Sequence, residues 1–226
     1  MTTIVITGAN RGLGLEFTRQ YAADGAKIYA LCRDPSSADE LKEIKGDVQI
    51  VRADVTDSEA LKSFAESLNG EAIDLVINNA GIYGGTHQSF GGIDYEAWEK
   101  TFRINTMGPV RVAEALFDNL TKADQPKLIT ISSLMGSIAD ASGGDIIYRS
   151  SKTAVNMAMH MVAAAANDNQ VVVVNLHPGW VQTDMGGTQA PVKPADSIAG
   201  MRKVIDGLTM DDSGHFIDYK GQSIPW

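Results

Sequence analysis

The stretch Thr3-Ile-Val-Ile-Thr-Gly8-Ala-Asn-Arg-Gly12-Leu-Gly14 decides the fold. The β-branched residues from 3 to 7 predict a buried strand, and the glycines lead into a helical pattern over 15–23. Glycine is needed where a strand turns tightly into a helix and the backbone approaches an anion at the helix N-terminus. The spacing Gly8-x3-Gly12-x-Gly14 differs from the common G-x-G-x-x-G, but its position predicts a dinucleotide-binding βαβ unit.

The same alternation of strand and helix continues to the end of the chain. Four consecutive valines at 171–174 indicate a strand covered on both faces, as in parallel sheets between helix layers. The pattern predicts a single-domain α/β fold over 1–226, a doubly wound parallel (Rossmann) sheet of about seven strands with helices on both faces. Strands are predicted at 3–7, 27–32, 47–52, 73–77, 127–131, 171–176 and 215–218, helices at 15–23, 37–44, 58–68, 95–122, 146–166 and 194–208, and loops at 82–93 and 132–144.

The composition excludes several functional classes. The net charge of -9 and the pI near 4.8 argue against nucleic-acid binding, which usually needs a basic face. No apolar run approaches the ~20 residues of a membrane span, and the start of the chain does not read as a secretion signal. The single cysteine, Cys32, excludes an internal disulfide and favours a cytoplasmic location. Histidines at 87, 160, 177 and 215 lack metal-ligand spacing, so no metal is expected.

The end of the second predicted strand indicates which dinucleotide binds. NAD-binding sheets usually carry an acidic residue there, which grips the ribose 2′-hydroxyl, but this chain has Cys32 followed by Arg33. Arg11 lies in the glycine turn, and two guanidinium groups near the 2′ position suit a 2′-phosphate. We therefore expect NADP(H) in preference to NAD(H). If the strand ends later, Asp34 could take the ribose role instead.

Tyr148 and Lys152 lie four residues apart, on one face of a predicted helix. A phenol and an ammonium group can thus point into one pocket. The lysine favours the phenolate and is expected to lower the tyrosine pKa toward the range of acid-base catalysis. By itself the pair is a weak signal, because tyrosine and lysine at this spacing are frequent on ordinary helix surfaces.

Taken in order along the chain, the motifs resemble those of the short-chain dehydrogenase/reductase family over nearly the whole sequence. The matching segments are Thr7-Gly8-x3-Gly12-x-Gly14, Asp54-Val55, Asn78-Asn79-Ala80-Gly81, Asn105 in Arg103-Ile-Asn-Thr, Ile131-Ser-Ser133, Tyr148-x3-Lys152, and Pro178-Gly179 with Thr183. The ordered set is far more specific than any one motif.

The resemblance implies a catalytic role for four residues. Tyr148 would be the general acid in reduction, and Ser133 the hydroxyl that polarises a substrate carbonyl, with Ser132 as the alternative serine. Lys152 would lower the Tyr148 pKa and hold the nicotinamide ribose. Asn105 would hold a water linking Lys152 to solvent, and the hydride would come from the cofactor.

The resemblance also implies a set of cofactor-binding residues. The backbone at Val181 and the Thr183 hydroxyl would hold the carboxamide, whereas His177 is expected to be a packed or hydrogen-bonded residue rather than a catalyst. The full expected set is Gly8, Asn10, Arg11, Gly12, Leu13, Gly14, Arg33, Asp54, Val55, Asn79, Ala80, Gly81, Tyr148, Lys152, Pro178, Gly179, Val181 and Thr183.

Substrate specificity is expected in the short loop 184–193, which has no room for long lid helices and predicts an open site. The carboxyl-terminal motifs resemble most the C-factor-like branch of carbonyl reductases. We expect NADPH-dependent reduction of a small aldehyde or ketone, working reversibly as an alcohol dehydrogenase. The alternative is a cofactor-binding signalling or redox-sensing protein. A homodimer could form through the helices beginning near Tyr95 and Ile146.

Overall fold

Seven strands form one sheet in the computed structural model, which describes residues 1–226. They are β1 (Thr3–Thr7), β2 (Lys27–Cys32), β3 (Asp47–Arg52), β4 (Leu75–Asn78), β5 (Lys127–Ile131), β6 (Val172–His177) and β7 (Phe216–Asp218). Their order is β3-β2-β1-β4-β5-β6-β7, and every neighbouring pair is parallel. This is the predicted doubly wound parallel sheet, and the predicted fold class is confirmed.

Helices cover both faces of this sheet. They are α1 (Gly12–Ala23), α2 (Asp39–Lys42), α3 (Ser58–Ser67), α4 (Tyr95–Phe102), α5 (Gly108–Leu120), α6 (Ile146–Ala166) and α7 (Pro194–Gly207). Apolar residues of α1, α2 and α7 form one core with the sheet, and those of α3, α5 and α6 form a second core on the opposite face. None of these helices combines the length and apolar character needed to cross a membrane.

The first strand explains why both layers are needed. All five of its residues are buried; Ile4 and Ile6 belong to the core beneath α1 and α7, whereas Val5 belongs to the opposite core. Successive side chains of a strand point to opposite faces, so an uninterrupted apolar strand must be covered on both sides. The valine run 171–174 is buried for the same reason.

The predicted helix 95–122 is wrong at its centre. A π-helical turn, Arg103–Met107, separates α4 from α5. Pro109 has no N–H to donate to the carbonyl of Asn105, so a regular α-helical hydrogen bond cannot form there. The side chain of Asn105 accepts a hydrogen bond from Ile82 N–H instead of lying on the helix surface. The interruption therefore places a buried amide beside the end of β4.

The predicted helix 37–44 is also shorter than expected. A 3-10 turn, Pro35–Ser37, precedes α2, and the carboxylate of Asp34 caps that turn by accepting the N–H of Ser36. Proline at the first position of a turn and an aspartate before it both favour a local cap over a longer helix. Five predicted elements, 3–7, 27–32, 47–52, 127–131 and 146–166, agree with the structure at both ends, and the remaining ones differ by no more than three residues, as helix and strand ends commonly do.

The turn between β1 and α1 depends on glycine at two positions. Gly8 has a φ of 65°, in the left-handed region that favours glycine, and a Cβ added there would lie 2.9 Å from the Cα of Ala80. A Cβ added to Gly14 would lie 2.3 Å from the carbonyl oxygen of Gly8. The first turn of α1 therefore packs directly onto the end of β1.

This contact predicts that Gly14→Ala is strongly destabilising. The added methyl group would overlap backbone atoms that cannot move aside, so we expect the free energy of unfolding to fall by about 3 kcal/mol. Urea denaturation followed by circular dichroism measures this loss. Gly207→Ala is the matched control, because a Cβ at Gly207 meets no atom within 4 Å. Equal stability of the two variants would contradict the prediction.

Candidate active site

The candidate site lies along the carboxyl ends of the strands. The order of the sheet reverses at β1, which pairs with β2 on one side and β4 on the other. Ligands of doubly wound sheets bind in the crevice outside the carboxyl ends at such a reversal. The glycine turn follows β1, the Asn-Asn-Ala-Gly segment follows β4, and Ser133 follows β5. The topology thus brings together motifs that are far apart in the sequence.

Hydrogen bonds from Asn79 hold the glycine turn against the end of β4. Its side-chain Nδ2 donates to the carbonyls of Thr7, at 2.9 Å, and of Gly8, at 3.1 Å. In return, Thr7 Oγ1 accepts the N–H groups of Asn79 and Ala80, both at 3.1 Å. The Asn79 amide donors are therefore engaged within the chain, and the side chain shapes the cradle rather than pointing freely into it.

The residues expected near the adenosine end take distinct positions. Cys32 ends β2 and is 2% exposed, whereas Arg33 is exposed. The guanidinium of Arg11 lies 3.3 Å from the carboxylate of Asp184, and both side chains are exposed, so this ion pair contributes little to stability. Arg11 and Arg33 are thus both exposed to solvent.

The carboxylate of Asp34, the alternative ribose ligand, is hydrogen-bonded within the turn that it begins. Its carboxylate accepts hydrogen bonds from the N–H and the hydroxyl of Ser36, and the Ser36 hydroxyl is the main cause that lowers the pKa of Asp34. Asp54 is similarly engaged, since it accepts the N–H and hydroxyl of Thr56, each at 2.8 Å. The neighbouring Val55 is buried against the backbone of Gly108.

Tyr148 and Lys152 lie in a closed part of the site, beside the turn after β5 that carries Ser133. Both α6 side chains lie inside the protein, with Tyr148 7% and Lys152 6% exposed. Lys152 Nζ donates to the carbonyl of Ile131 at 2.8 Å and lies 5.8 Å from the centre of the Tyr148 ring. Ser133 Oγ accepts the N–H of Met135 at 3.2 Å, and its hydroxyl is near enough to the Tyr148 phenol to lower the pKa of that group.

The pKa values differ from the sequence expectation. Burial raises the pKa of Tyr148 to about 12, and the hydrogen bond with Ser133 only partly opposes this shift. Burial also lowers the pKa of Lys152 to about 8, because a buried ammonium loses its hydration. The expected lowering of the Tyr148 pKa is not found, because burial of the phenol dominates the shift. The phenol thus keeps its proton at neutral pH.

The two adjacent serines have separate environments. Ser132 is 2% exposed, and its hydroxyl donates to Asn156 Oδ1. Asn156 Nδ2 in turn donates to the carbonyl of Gly136 at 3.3 Å, so this network fixes the turn after β5. The Ser132 hydroxyl is therefore bonded to Asn156 inside the protein. Ser133 is the serine whose hydroxyl lies near Tyr148.

The Asn105 side chain is hydrogen-bonded through both of its polar atoms. Its Oδ1 accepts the N–H of Ile82 at 2.9 Å, and its Nδ2 donates to the carbonyl of Ile82 at 2.8 Å and to Ser151 Oγ at 3.0 Å. The main-chain carbonyl of Asn105 lacks an α-helical donor, because Pro109 has no N–H.

The segment after β6 faces the glycine turn. A Cβ at Gly12 would lie 3.8 Å from Thr183 Cγ2, which places Thr183 across the crevice from α1. The loop 184–193 is short and fastened at both ends, with a bridge from Val181 to Val192 and a hydrogen bond from Trp180 Nε1 to the Gly186 carbonyl. The remaining expected residues, Asn10, Leu13, Gly81, Pro178 and Gly179, lie in these same turns and segments.

Three residues around the site were not assigned a catalytic or binding role from the sequence. His177 Nδ1 accepts the N–H of Leu134 at 3.1 Å, and burial lowers its pKa to about 4, so it is a neutral hydrogen-bonded residue, as expected. Tyr83 packs its ring 4.7 Å from that of Tyr148, and Gln88 bonds to the first turn of α6. The glycine-rich loop 82–93 has no periodicity from which these last two contacts could be predicted.

The sheet order, the glycine turn at the reversal point and the buried group formed by Ser133, Tyr148 and Lys152 define a Rossmann-type oxidoreductase. The sequence profile described as short chain dehydrogenase matches residues 2–193. The chain belongs to the short-chain dehydrogenase family, and the resemblance predicted from its motifs is confirmed.

Individual relatives agree with this assignment. The C-signal protein of Myxococcus xanthus is 41% identical over 167 residues, covering 74% of this chain and 100% of that protein. The 1-hydroxy-2-glutathionyl-2-methyl-3-butene dehydrogenase of Rhodococcus sp. strain AD45 is 31% identical over 233 residues, covering 100% of both. Among solved structures, NADPH-bound carbonyl reductase from chicken fatty liver has a TM-score of 0.93 at 34% identity, covering 100% of this chain and 99% of that one.

The buried Lys152 predicts a particular pH dependence of stability. Its pKa falls from 10.5 to about 8 on folding, so between these values the unfolded chain binds more protons and stability rises with pH. Relative to Lys152→Met, the free energy of unfolding of the wild type should increase by about 3 kcal/mol from pH 7.5 to 10.5. Urea denaturation across this range, with the exposed Lys62→Met as control, measures it. A constant difference would contradict the prediction.

Proposed function

We propose that this protein is an NADPH-dependent reductase of small aldehydes or ketones, reversible as an alcohol dehydrogenase. The observation that carries the proposal is the meeting of two hydroxyl groups, from Ser133 and Tyr148, beside the buried Lys152 at the carboxyl ends of β5 and β6. A carbonyl oxygen that gains negative charge needs hydrogen-bond donors and a proton source within reach. These two hydroxyls can provide both.

The crevice fits a nicotinamide dinucleotide. Gly8 and Gly14 bring the N-terminus of α1 close to β1, where backbone N–H groups can bind a pyrophosphate, and a Cβ at either position would clash with backbone. Arg11 and Arg33 supply positive charge for a 2′-phosphate, which supports NADP(H) over NAD(H). When bound, the dinucleotide supplies the hydride. The carbonyl reductase from chicken fatty liver is NADPH-bound, in keeping with this choice.

Tyr148 acts as the general acid in reduction. Its raised pKa keeps the phenol protonated at neutral pH, so the proton is available when the substrate oxygen becomes an alkoxide. The same shift opposes the reverse reaction, because alcohol oxidation requires the phenolate as base. Alcohol oxidation should therefore become faster as the pH rises.

Ser133 and Lys152 support this proton transfer. The Ser133 hydroxyl donates to the substrate oxygen and orients the carbonyl, while Ser132 remains bound to Asn156. Lys152 places a positive charge beside the site and holds the nicotinamide ribose. The main-chain carbonyl of Asn105, rather than its side chain, holds the water that returns protons to Lys152.

The short loop 184–193 forms the substrate wall in this proposal. Trp180, Met185 and Leu134 are large apolar residues with exposed surface near the segments that follow β5 and β6. Since no long helix covers these segments, an open site with apolar walls would accept small carbonyl compounds of varied shape. We propose no nucleic acid or membrane as a partner.

A second candidate is a signalling or redox-sensing function, supported by the similarity to the C-signal protein of Myxococcus xanthus. Thiol-based redox sensing is disfavoured, since Cys32 is buried and burial raises the pKa of its thiol. Signalling through a bound cofactor has no physical need for Ser133 and Tyr148 beside a buried Lys152. The presence of Ser133, Tyr148 and Lys152 together therefore favours an enzymatic function over signalling.

The proposed acid predicts the effect of Tyr148→Phe. Removing the hydroxyl deletes the proton donor but keeps the ring, so kcat/KM for carbonyl reduction should fall about 10³-fold. NADPH oxidation at 340 nm with a panel of small aldehydes and ketones measures it. Tyr95→Phe is the control, because Tyr95 is exposed on α4 and should keep its activity. Equal rates for wild type and Tyr148→Phe would refute the mechanism.

The cofactor preference predicts the effect of Arg33→Ala. Loss of this guanidinium should raise KM for NADPH about tenfold and leave KM for NADH within about twofold, since NADH lacks the 2′-phosphate. Steady-state kinetics with both cofactors measures the change. Arg19→Ala, at an exposed position of α1 beyond its first turn, is a charge-matched control. An unchanged NADPH preference would remove Arg33 from the binding site.

A further inference from the structure

Gln88 is a buried amide that the proposed chemistry does not use. It lies in the glycine-rich loop 82–93, far in sequence from α6, and is only 3% exposed. A buried amide loses hydration unless its donors and acceptor are all satisfied. Every hydrogen bond that Gln88 makes through its side chain goes to backbone at the edge of the site.

Gln88 supplies the missing cap of α6. Asp145 precedes this helix in a left-handed conformation, with a φ of 48°, and its side chain makes no capping hydrogen bond. The first N–H groups of a helix have no partner within it. Gln88 Oε1 accepts the N–H of Tyr148 at 2.9 Å, and the Gln88 carbonyl accepts the N–H of Ile146 at 3.2 Å. One residue thus binds two of the first three N–H groups of α6.

The side-chain nitrogen of Gln88 holds the part of the loop 82–93 that faces the Tyr148 phenol. Its Nε2 donates to the carbonyl of Tyr83 at 3.0 Å and to that of Gly85 at 2.9 Å. The Tyr83 ring packs 4.7 Å from the Tyr148 ring. Between these contacts, a Cβ at Gly84 would lie 2.6 Å from Ile147 Cγ2, so the loop fits closely on the first turn of α6.

We propose that Gln88 is a positioning residue for the reaction, which fixes the backbone of Tyr148 and the separation between the Tyr148 and Tyr83 rings. This inference rests on the proposed function, because it assigns Gln88 a role in placing the proposed acid. Gln88 does not touch the reacting atoms. It acts through the peptide N–H of Tyr148 and the carbonyl of Tyr83.

The physical consequence lies in the placement of the phenol. Without the Gln88 acceptor, the first turn of α6 would have to bind water or fray, and Tyr148 lies in that turn. A displacement of about 1 Å at a reacting group can reduce a rate about 10²-fold. Cofactor binding depends on the glycine turn and should be much less affected. The expected result is therefore a loss in kcat rather than in KM for NADPH.

Two substitutions separate the acceptor of Gln88 from its donors. Gln88→Leu has a similar volume but removes every side-chain hydrogen bond. Gln88→Glu keeps an oxygen that can accept the N–H of Tyr148, and a negative charge at a helix N-terminus is favourable, but it loses both donors. We expect kcat for carbonyl reduction to fall at least tenfold in Gln88→Leu and by a smaller factor in Gln88→Glu, which keeps an acceptor for Tyr148 but loses the bonds to the Tyr83 and Gly85 carbonyls. KM for NADPH should stay within about twofold in both.

Hydrogen exchange measured by NMR gives a readout that does not depend on activity. The backbone N–H of Tyr148 should exchange at least tenfold faster in Gln88→Leu and remain protected in Gln88→Glu. Asn119→Leu is the matched control, because Asn119 is a buried amide, 4% exposed, that donates to the Glu71 carbonyl at the opposite end of the sheet. This control should lose stability without changes in kcat or in Tyr148 exchange.

The outcomes distinguish this inference from the proposed function. If the wild type is inactive with all carbonyls, or if Tyr148→Phe is fully active, the proposed function fails, while the exchange experiment still tests the cap.

If the wild type is active and depends on Tyr148, an unchanged kcat in folded Gln88→Leu overturns the inference. Loss of kcat with unchanged Tyr148 exchange also overturns it. If Gln88→Leu does not fold, Gln88→Glu carries the test: protected Tyr148 exchange with a reduced kcat supports the inference, and full kcat despite loss of that protection overturns it.

Discussion

The hydrogen bonds between Asn79 and the end of β1 are the constraint on which the rest of the structure depends. They join the carboxyl ends of β1 and β4 at the point where the strand order reverses, and they use backbone groups that would otherwise be unsatisfied. Gly8 and Gly14 make this junction possible because neither position has room for a Cβ. A crevice with exposed helix N–H groups follows from this packing, so stability and the capacity to bind an anion have the same structural origin.

A second constraint is the burial of polar groups behind the site. Lys152 is held by a single carbonyl at 2.8 Å, and its lowered pKa shows that folding disfavours its charge. Ser132 and Asn156 form a satisfied network behind it, which keeps the turn after β5 in place. Buried polar networks of this kind rigidify a site when every member is bonded. The cost of burying Lys152 is offset by the surrounding core, and the result is a charge fixed beside the Tyr148 phenol.

The comparison of sequence and structure is most informative where they disagree. The helical spacing correctly places Tyr148 and Lys152 on one face, yet the pKa of Tyr148 is raised and not lowered, because burial of the phenol is the main cause of its shift. The interrupted helix at Asn105 has a similar cause: a helical pattern does not reveal that Pro109 removes a donor and that Ile82 offers a better partner. In both places a contact between distant segments overrides a local pattern.

The sequence by itself determined the fold class, the order of strands and helices, the glycine turn and the membership of the family. These follow from apolar periodicity, from the steric freedom of glycine and from motifs in a fixed order, all of which are local properties of the chain. Only the tertiary structure decided which serine is available, what occupies the Asn105 side chain, and how Gln88 binds the N–H of Tyr148 across 60 positions of sequence. These depend on burial and on hydrogen bonds between distant segments, which are set only when the sheet and its two helix layers pack together.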